Sequence, residues 1–298
     1  MNLYKYVSAN LWSSILQDKL IRFSPAIVFN DPFEMQPFYE PRRRNNDEIL
    51  KSLGEDDVKA VIEKIAVGVH SELPPEMQEV LSLEDMRTLA EITSPFEIEL
   101  PPNIVDGFVP GINNAVYGAF NEDIGVLPLS EKCDSLLMWA HYAQSHTGLV
   151  IGFDAEHEYF HQQLNSSDEL RYIRKVRYSD IRPKVNFSTL EDPTDILLVK
   201  SREWEYEQEW RMLRPLEDAT ETRVINNETI HLFSFPGACV KELILGYRTS
   251  LLDKIDIVRL LKNDEQYSHV KLYDAVIDRR KYKLNMIPTD GTLLCKYR

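Results

Sequence analysis

Along this chain the apolar positions change period often and at short intervals, which predicts many short elements rather than a few long ones. Residues 3–7, Leu-Tyr-Lys-Tyr-Val, read as a strand. Ser8 is placed to cap a helix in which Leu11, Trp12, Ile15 and Leu16 recur at helical spacing up to Leu20. Leu20-Ile21-Arg22-Phe23-Ser24 alternates as a second strand, then a turn-rich loop runs through Asn30-Asp31-Pro32. Further on, strands are expected at 124–130, 149–153, 171–178, from near Glu209, and at 240–245 and 270–277. Helices are expected at 134–143, 155–164, 192–202 and 249–262.

Between about 41 and 110 the texture differs. Acidic helical patterns (47–68 and 76–92) are interrupted by Pro74-Pro75, Ser94-Pro95 and Pro101-Pro102. This segment reads as a helical insertion in a single domain spanning 1–298. Irregular alternation with several adjacent strands predicts an α+β fold with a mixed or antiparallel sheet core rather than a doubly wound one.

Composition narrows the function. With 34 Lys and Arg against 48 Asp and Glu in 298 residues, the formal charge is −14. Such a chain does not suit sequence-independent nucleic-acid binding, which needs a net basic face. The basic stretches 171–177 and 279–283 read either as a local basic groove beside aromatics or, more plainly, as solvated strand faces. Cys133, Cys239 and Cys295 are too few and too scattered for a disulfide framework or a cysteine-based zinc site. No signal-peptide pattern and no apolar run of about 20 residues is visible, so a cytoplasmic protein with no membrane partner is expected.

Candidate chemistry concentrates in three islands rich in aromatic, ionisable and amide side chains: 3–34, 138–148 and 204–211. In the third, Trp204-Glu205-Tyr206-Glu207-Gln208-Glu209-Trp210-Arg211, a strand would point Glu207, Glu209 and Arg211 to one face. Two neighbouring carboxylates there need a cation or a raised pKa, and Arg211 is the nearest candidate partner. A glutamate so held can bind a ribose hydroxyl or stabilise a cationic transition state; a solvated ion pair at a strand edge is the plainer reading. In the second island, His141 and His146 flank a helix-to-strand turn ending at Gly148, a suitable place for acid–base chemistry or substrate orientation, and equally for structural histidines. Trp139 and Tyr142 form either an aromatic platform or part of the core. In the first, Tyr4 and Tyr6 share a face opposite Lys5, and Asn30-Asp31 is either a ligand-orienting pair or an Asx turn before Pro32.

One sharper motif competes with these. His157-Glu158-Tyr159-Phe160-His161 fits H-E-x-x-H, the helical zinc-hydrolase signature, with Asp168 and Glu169 as candidate third ligands. Its polar flanks, Glu156, Gln162 and Gln163, speak against the buried helix such an enzyme needs, and no metal is expected. No dinucleotide-binding glycine pattern, phosphate-binding loop or serine nucleophile elbow occurs.

The motifs LYKY, FNDPFE, MWAHYA-x-x-H-x-G and W-x-YEQEWR resemble those of a bacterial family catalogued as domain of unknown function 2971. The resemblance runs over roughly residues 3–245, and the segment 41–110 carries none of it. By arrangement, the islands also resemble ADP-ribosyltransferases. These carry a first strand that meets NAD, a central strand with Ser, Thr or Tyr around the nicotinamide, and a later strand that opens on a catalytic Glu. That resemblance implies an ADP-ribosyltransferase-like fold with NAD as substrate. Tyr4-Lys5-Tyr6 would be the first element, Ser130 with the His141–His146 turn the second, and Glu207-Gln208-Glu209 the third. Glu209 would then be catalytic, with Glu207 or His141 addressing the acceptor. Tyr6 and Tyr142 would hold the nicotinamide, with Asn30, Asp31, Trp139, His146 and Arg211 around the nucleotide. The chain departs from the pattern in lacking an Arg or His on the first strand and the Ser-Thr-Ser run. The partners implied are a small nucleotide ligand and a protein or nucleic-acid acceptor. A toxin or phage-defence role fits by analogy, with a second copy or a neutralising partner compatible with it. A zinc hydrolase and a non-catalytic interaction module stay open beside this reading.

Overall fold

A computed structural model describes residues 1–25, 28–33, 38–39, 67, 123–166, 168–185 and 193–289. Contacts divide the chain into two units, Met1–Phe38 with Ala115–Val185 and Thr189–Arg298, and Tyr39–Asn114 with Asn186–Ser188. Everything below concerns the first unit, apart from Tyr39 at the end of β3. The expected insertion at 41–110 lies, apart from Val67, outside the described residues.

The strands are β1 (Asn2–Val7), β2 (Leu20–Phe23), β3 (Phe38–Tyr39), β4 (Ile124–Ser130), β5 (Leu149–Asp154), β6 (Ile173–Lys175), β7 (Arg177–Ser179), β8 (Lys184–Val185) and β9 (Val199–Ser201). They continue with β10 (Glu209–Pro215), β11 (Glu221–Ile225), β12 (Glu228–Ser234), β13 (Val240–Leu245), β14 (Lys271–Ile277) and β15 (Leu284–Pro288). Among the described residues the α-helices are α1 (Trp12–Asp18), α2 (Leu136–Tyr142) and α3 (Leu251–Asn263). The fold is α+β, as expected. Its main sheet has eight strands in the order β15-β14-β13-β5-β1-β4-β10-β6, antiparallel except for the β13–β14 pair. A second sheet, β11-β12-β2, joins it through a bridge between Ser24 and Val126. Among the described residues no helix is long and apolar enough to cross a membrane.

Both faces of the main sheet are covered, which is why β5 buries every residue from Leu149 to Phe153. Alternation sorts the strands between two cores. Leu3 and Val7 of β1 join Trp12, Leu16, Ile151, Phe153 and Ile257 on one side. Tyr6 joins Met138, Trp139, Val150 and Ile244 on the other. Burying each such side chain stabilises the fold by about 1.5–3 kcal/mol before entropy is counted.

Three expected elements differ. The helix at 155–164 is one 3-10 turn, Glu158–Phe160: His157 before it is extended, and after it His161 pairs with Tyr172 and the Gln162 amide bonds to the Arg171 carbonyl, so the chain runs on as an extended segment. The helix at 192–202 is a 3-10 turn (Pro193–Leu198), then β9, then a second 3-10 turn (Arg202–Glu207). Ile196, Leu197 and Leu198 are all buried, so no amphipathic stripe exists, and Val199–Ser201 pairs in parallel with β7 instead. The strand at 171–178 breaks into β6 and β7 at Val176, whose amide reaches the Glu209 carbonyl at 3.0 Å. The β11–β12 hairpin, turned by Asn226 and Asn227 with φ of 52° and 63°, was not among the expected elements.

The turn from α2 to β5 is strained. Gln144, Ser145 and His146 have φ of 48°, 52° and 69°, a conformation that costs a residue with a Cβ about 1–2 kcal/mol each. Amides of Ser145, His146 and Gly148 bond back to Ala140, Trp139 and Ala143 of the helix end. Gly148 is required for close approach: a Cβ there would lie 2.0 Å from the Val7 carbonyl oxygen. Gly148→Ala is expected to destabilise the protein by about 3 kcal/mol or more, read as a lower urea midpoint; an unchanged midpoint would show that the β1–turn contact can relax.

Candidate functional site

The strand pairing creates a cleft inside the sheet. β1 pairs with β5 over six residues, and β10 with β4 over seven. Between them, β1 touches β4 at one register pair, Tyr4 opposite Ser130. Where the two strands part lies a cavity of about 290 Å³. Leu11 at the start of α1, Ile15 within it, Ile21 of β2 and Leu129 of β4 give it an apolar wall; Lys200, Glu207 and Glu209, with the Tyr142 hydroxyl, give it a charged one.

At the charged wall two carboxyl groups and two basic side chains meet. Lys200, 6% exposed, donates to Glu207 Oε2 at 2.7 Å and Glu209 Oε2 at 2.8 Å. Arg211, fully buried behind Glu209, donates from Nε to Oε1 at 2.6 Å and from a terminal nitrogen to Oε2 at 3.1 Å. Tyr142 donates to Glu207 Oε1 at 2.7 Å and accepts from Asn30 at 3.3 Å. The Tyr178 hydroxyl accepts from the Glu209 amide at 2.7 Å. Ser130 donates to the Glu207 carbonyl and accepts from the Lys132 amide, tying the end of β4 to the turn before β10. That turn is closed by Gln208 in the left-handed region, φ 43°.

Electrostatics follow from burial. Desolvation pushes the Glu209 carboxyl up to about 7 despite the pull of Lys200, with Glu207 adding to the rise. Burial alone would lower the Lys200 ammonium, but Glu209 and Glu207 outweigh it and hold the amine above its ordinary value. Burial also lowers Arg211, which stays a cation at neutral pH.

Of the residues singled out from sequence, Tyr4, Lys5, Tyr6, Asn30, Asp31, Tyr142, Glu207 and Glu209 line this one cavity. Glu207 reaches it from a 3-10 turn rather than from the strand. Ser130 and Arg211 stand behind it as braces. Three residues sit elsewhere. His141 is exposed on α2 and does not line the cavity, its ring lying edge-on to Tyr142 with 6.2 Å between centroids. Trp139 is core, its indole donating to the Cys133 carbonyl at 2.8 Å. His146 stacks on Trp139, 6.0 Å between centroids, and packs on Tyr247. The zinc-hydrolase geometry is absent as well. His157 lies outside the short 3-10 turn and caps it by accepting the Tyr159 amide, and His161 bonds to the Ala155 carbonyl at 2.8 Å. Among the described residues no group of three or more His, Cys, Asp or Glu could hold a metal.

The sequence reading missed Lys200, Arg22 and Tyr178. Lys200 did leave a signal, as a lone cation between Val199 and Ser201 directly after an apolar run, where an unpaired charge would be costly. Removing it should strand two buried carboxylates. Lys200→Met is expected to cost about 3–5 kcal/mol, with the Lys200→Met/Glu207→Gln double variant recovering part of the loss by denaturant titration. Additive losses would show that the lysine and the glutamate do not interact.

No curated protein and no solved structure matches this chain. Residues 138–212, which run from the first residue of the second island to just past Arg211, match the family described as "Protein of unknown function (DUF2971)".

Proposed function

We propose that the cavity receives the nicotinamide–ribose end of NAD and that the chain is an ADP-ribosyltransferase-like enzyme. One observation carries this reading: Tyr4, Ser130 and Glu209 lie opposite one another on three adjacent strands, in a single register row at the cavity. These are the three elements that the resemblance separates along the sequence.

In this reading the bond between the nicotinamide nitrogen and the ribose carbon breaks, and its electron pair leaves with neutral nicotinamide. Positive charge develops on the ribose. The Glu209 carboxylate offsets that charge and accepts a ribose hydroxyl hydrogen bond. An acceptor nucleophile then forms the new bond to the same carbon and loses its proton, with Glu207 the nearby carboxylate able to take it. Lys200 and Arg211 act as positioning residues that hold Glu209, with Lys200 drawing its carboxyl part of the way back toward the ionised form. The acceptor, protein or nucleic acid, and a toxin or phage-defence role belong to the same proposal.

A non-catalytic nucleotide-binding module is favoured by one fact: both Glu209 oxygens already accept from Lys200 or Arg211. Nicotinamide release separates the two. The enzyme reading expects release by wild type, a loss of at least about a hundredfold in Glu209→Gln, and a rate that rises with pH through about 7 as the Glu209 carboxyl ionises. Release that is undiminished in Glu209→Gln, or absent from wild type although NAD raises its melting temperature, would contradict the assignment.

A further inference from the structure

The cavity carries a second charge arrangement that the Glu207–Lys200–Glu209–Arg211 cluster does not absorb. Lys5 of β1 and Arg22 of β2 both line it, beside Ile15, Ile21 and Leu129. Lys5 is half-buried, and its ammonium makes one hydrogen bond among the described residues, to the Pro128 carbonyl at 3.2 Å. It pairs directly with no carboxylate there. Arg22 gives a terminal nitrogen to Glu228, while its buried Nε has no partner among the described residues. Burial pushes the Lys5 amine down to about 8, and the nearby Arg22 adds to the effect, against the pull of Glu209 and Glu207. Arg22, its side chain 35% exposed, is already compensated by Glu228, so the donors at this cavity left without a carboxylate among the described residues are the Lys5 ammonium and the Arg22 Nε.

We propose that Lys5 and Arg22 form an anion subsite that binds a phosphate or diphosphate group of the ligand where β1 and β4 part. The free guanidinium Nε–H and the rotatable ammonium donors suit an acceptor with several oxygens and more than one negative charge. The subsite stands on these two side chains and not on NAD cleavage. It would serve any phosphorylated ligand whose other end reaches the charged wall.

The test uses inorganic pyrophosphate with the full-length protein. Pyrophosphate is expected to raise the melting temperature of wild type, and Lys5→Met and Arg22→Met to weaken its apparent affinity at least about tenfold each, a difference of about 1.4 kcal/mol. Unliganded Lys5→Met provides a check that does not need the ligand. Because the folded state disfavours the charged amine, the variant should melt higher than wild type at pH 7. That gain should fade as pH rises from about 8 to 10.5, above which the lysine is neutral folded and unfolded alike. Equal protection of wild type and both variants, or protection of none, overturns the proposal. So does a lower melting temperature for Lys5→Met with undiminished pyrophosphate binding, as expected of a lysine that merely braces Pro128. Wild type that binds pyrophosphate yet releases no nicotinamide from NAD would overturn the transferase reading and leave this subsite standing.

Discussion

Lys200 is the pivot of this structure. Two glutamates, each 3% exposed, sit within hydrogen-bond reach of one buried ammonium, with a fully buried guanidinium behind the second. None of the four charges could be buried alone, since desolvation costs several kcal/mol per ion. Together they fix the end of β4, the turn before β10 and the short β9 strand against one another. The wall of the cavity is therefore set by charge pairing as much as by apolar packing. Such a cluster is costly relative to a well-packed apolar core of the same shape, so its presence at a cavity fits a site better than a stabilising device.

The sheet makes room for that cluster by parting. If β1 and β4 paired along their full length, Lys5 would face a continuous strand, and the space between Leu129 and α1 would close. The single Tyr4–Ser130 contact holds the two strands at one end only. On the far side of β1, the left-handed turn Gln144–Ser145–His146 and the tight seat of Gly148 under Val7 hold β5 and β1 together. Strain concentrated in that turn is offset by the stack of His146 on the buried Trp139 and by the bonds its backbone makes to the segment after β13.

Much of this was legible in the residues. The alternation in 3–7, 124–130, 149–153 and 240–245 located the central strands, because these segments are short, apolar and bounded by turn residues. Eight of the candidate site residues drawn from the islands share the cavity, since polar and aromatic side chains at strand ends cluster where loops converge. What failed did so for tertiary reasons. His157 and His161 have helical spacing, but His157 is extended and His161 pairs across to Tyr172, so the turn between them stops after three residues. His141 shares the motif of the second island while its helical position turns it outward. The partners of Lys200 were hidden because they lie seven and nine positions away across a strand and a 3-10 turn, so no single helical or strand period relates them to it.

The most direct measurement is a crystal structure of Glu209→Gln grown with NAD. The account predicts the nicotinamide ring between Tyr6 and Tyr142, the ribose against residue 209, and the diphosphate at Lys5 and Arg22. NAD bound elsewhere, or a cavity that stays free of it at concentrations saturating for the protein, would contradict the account.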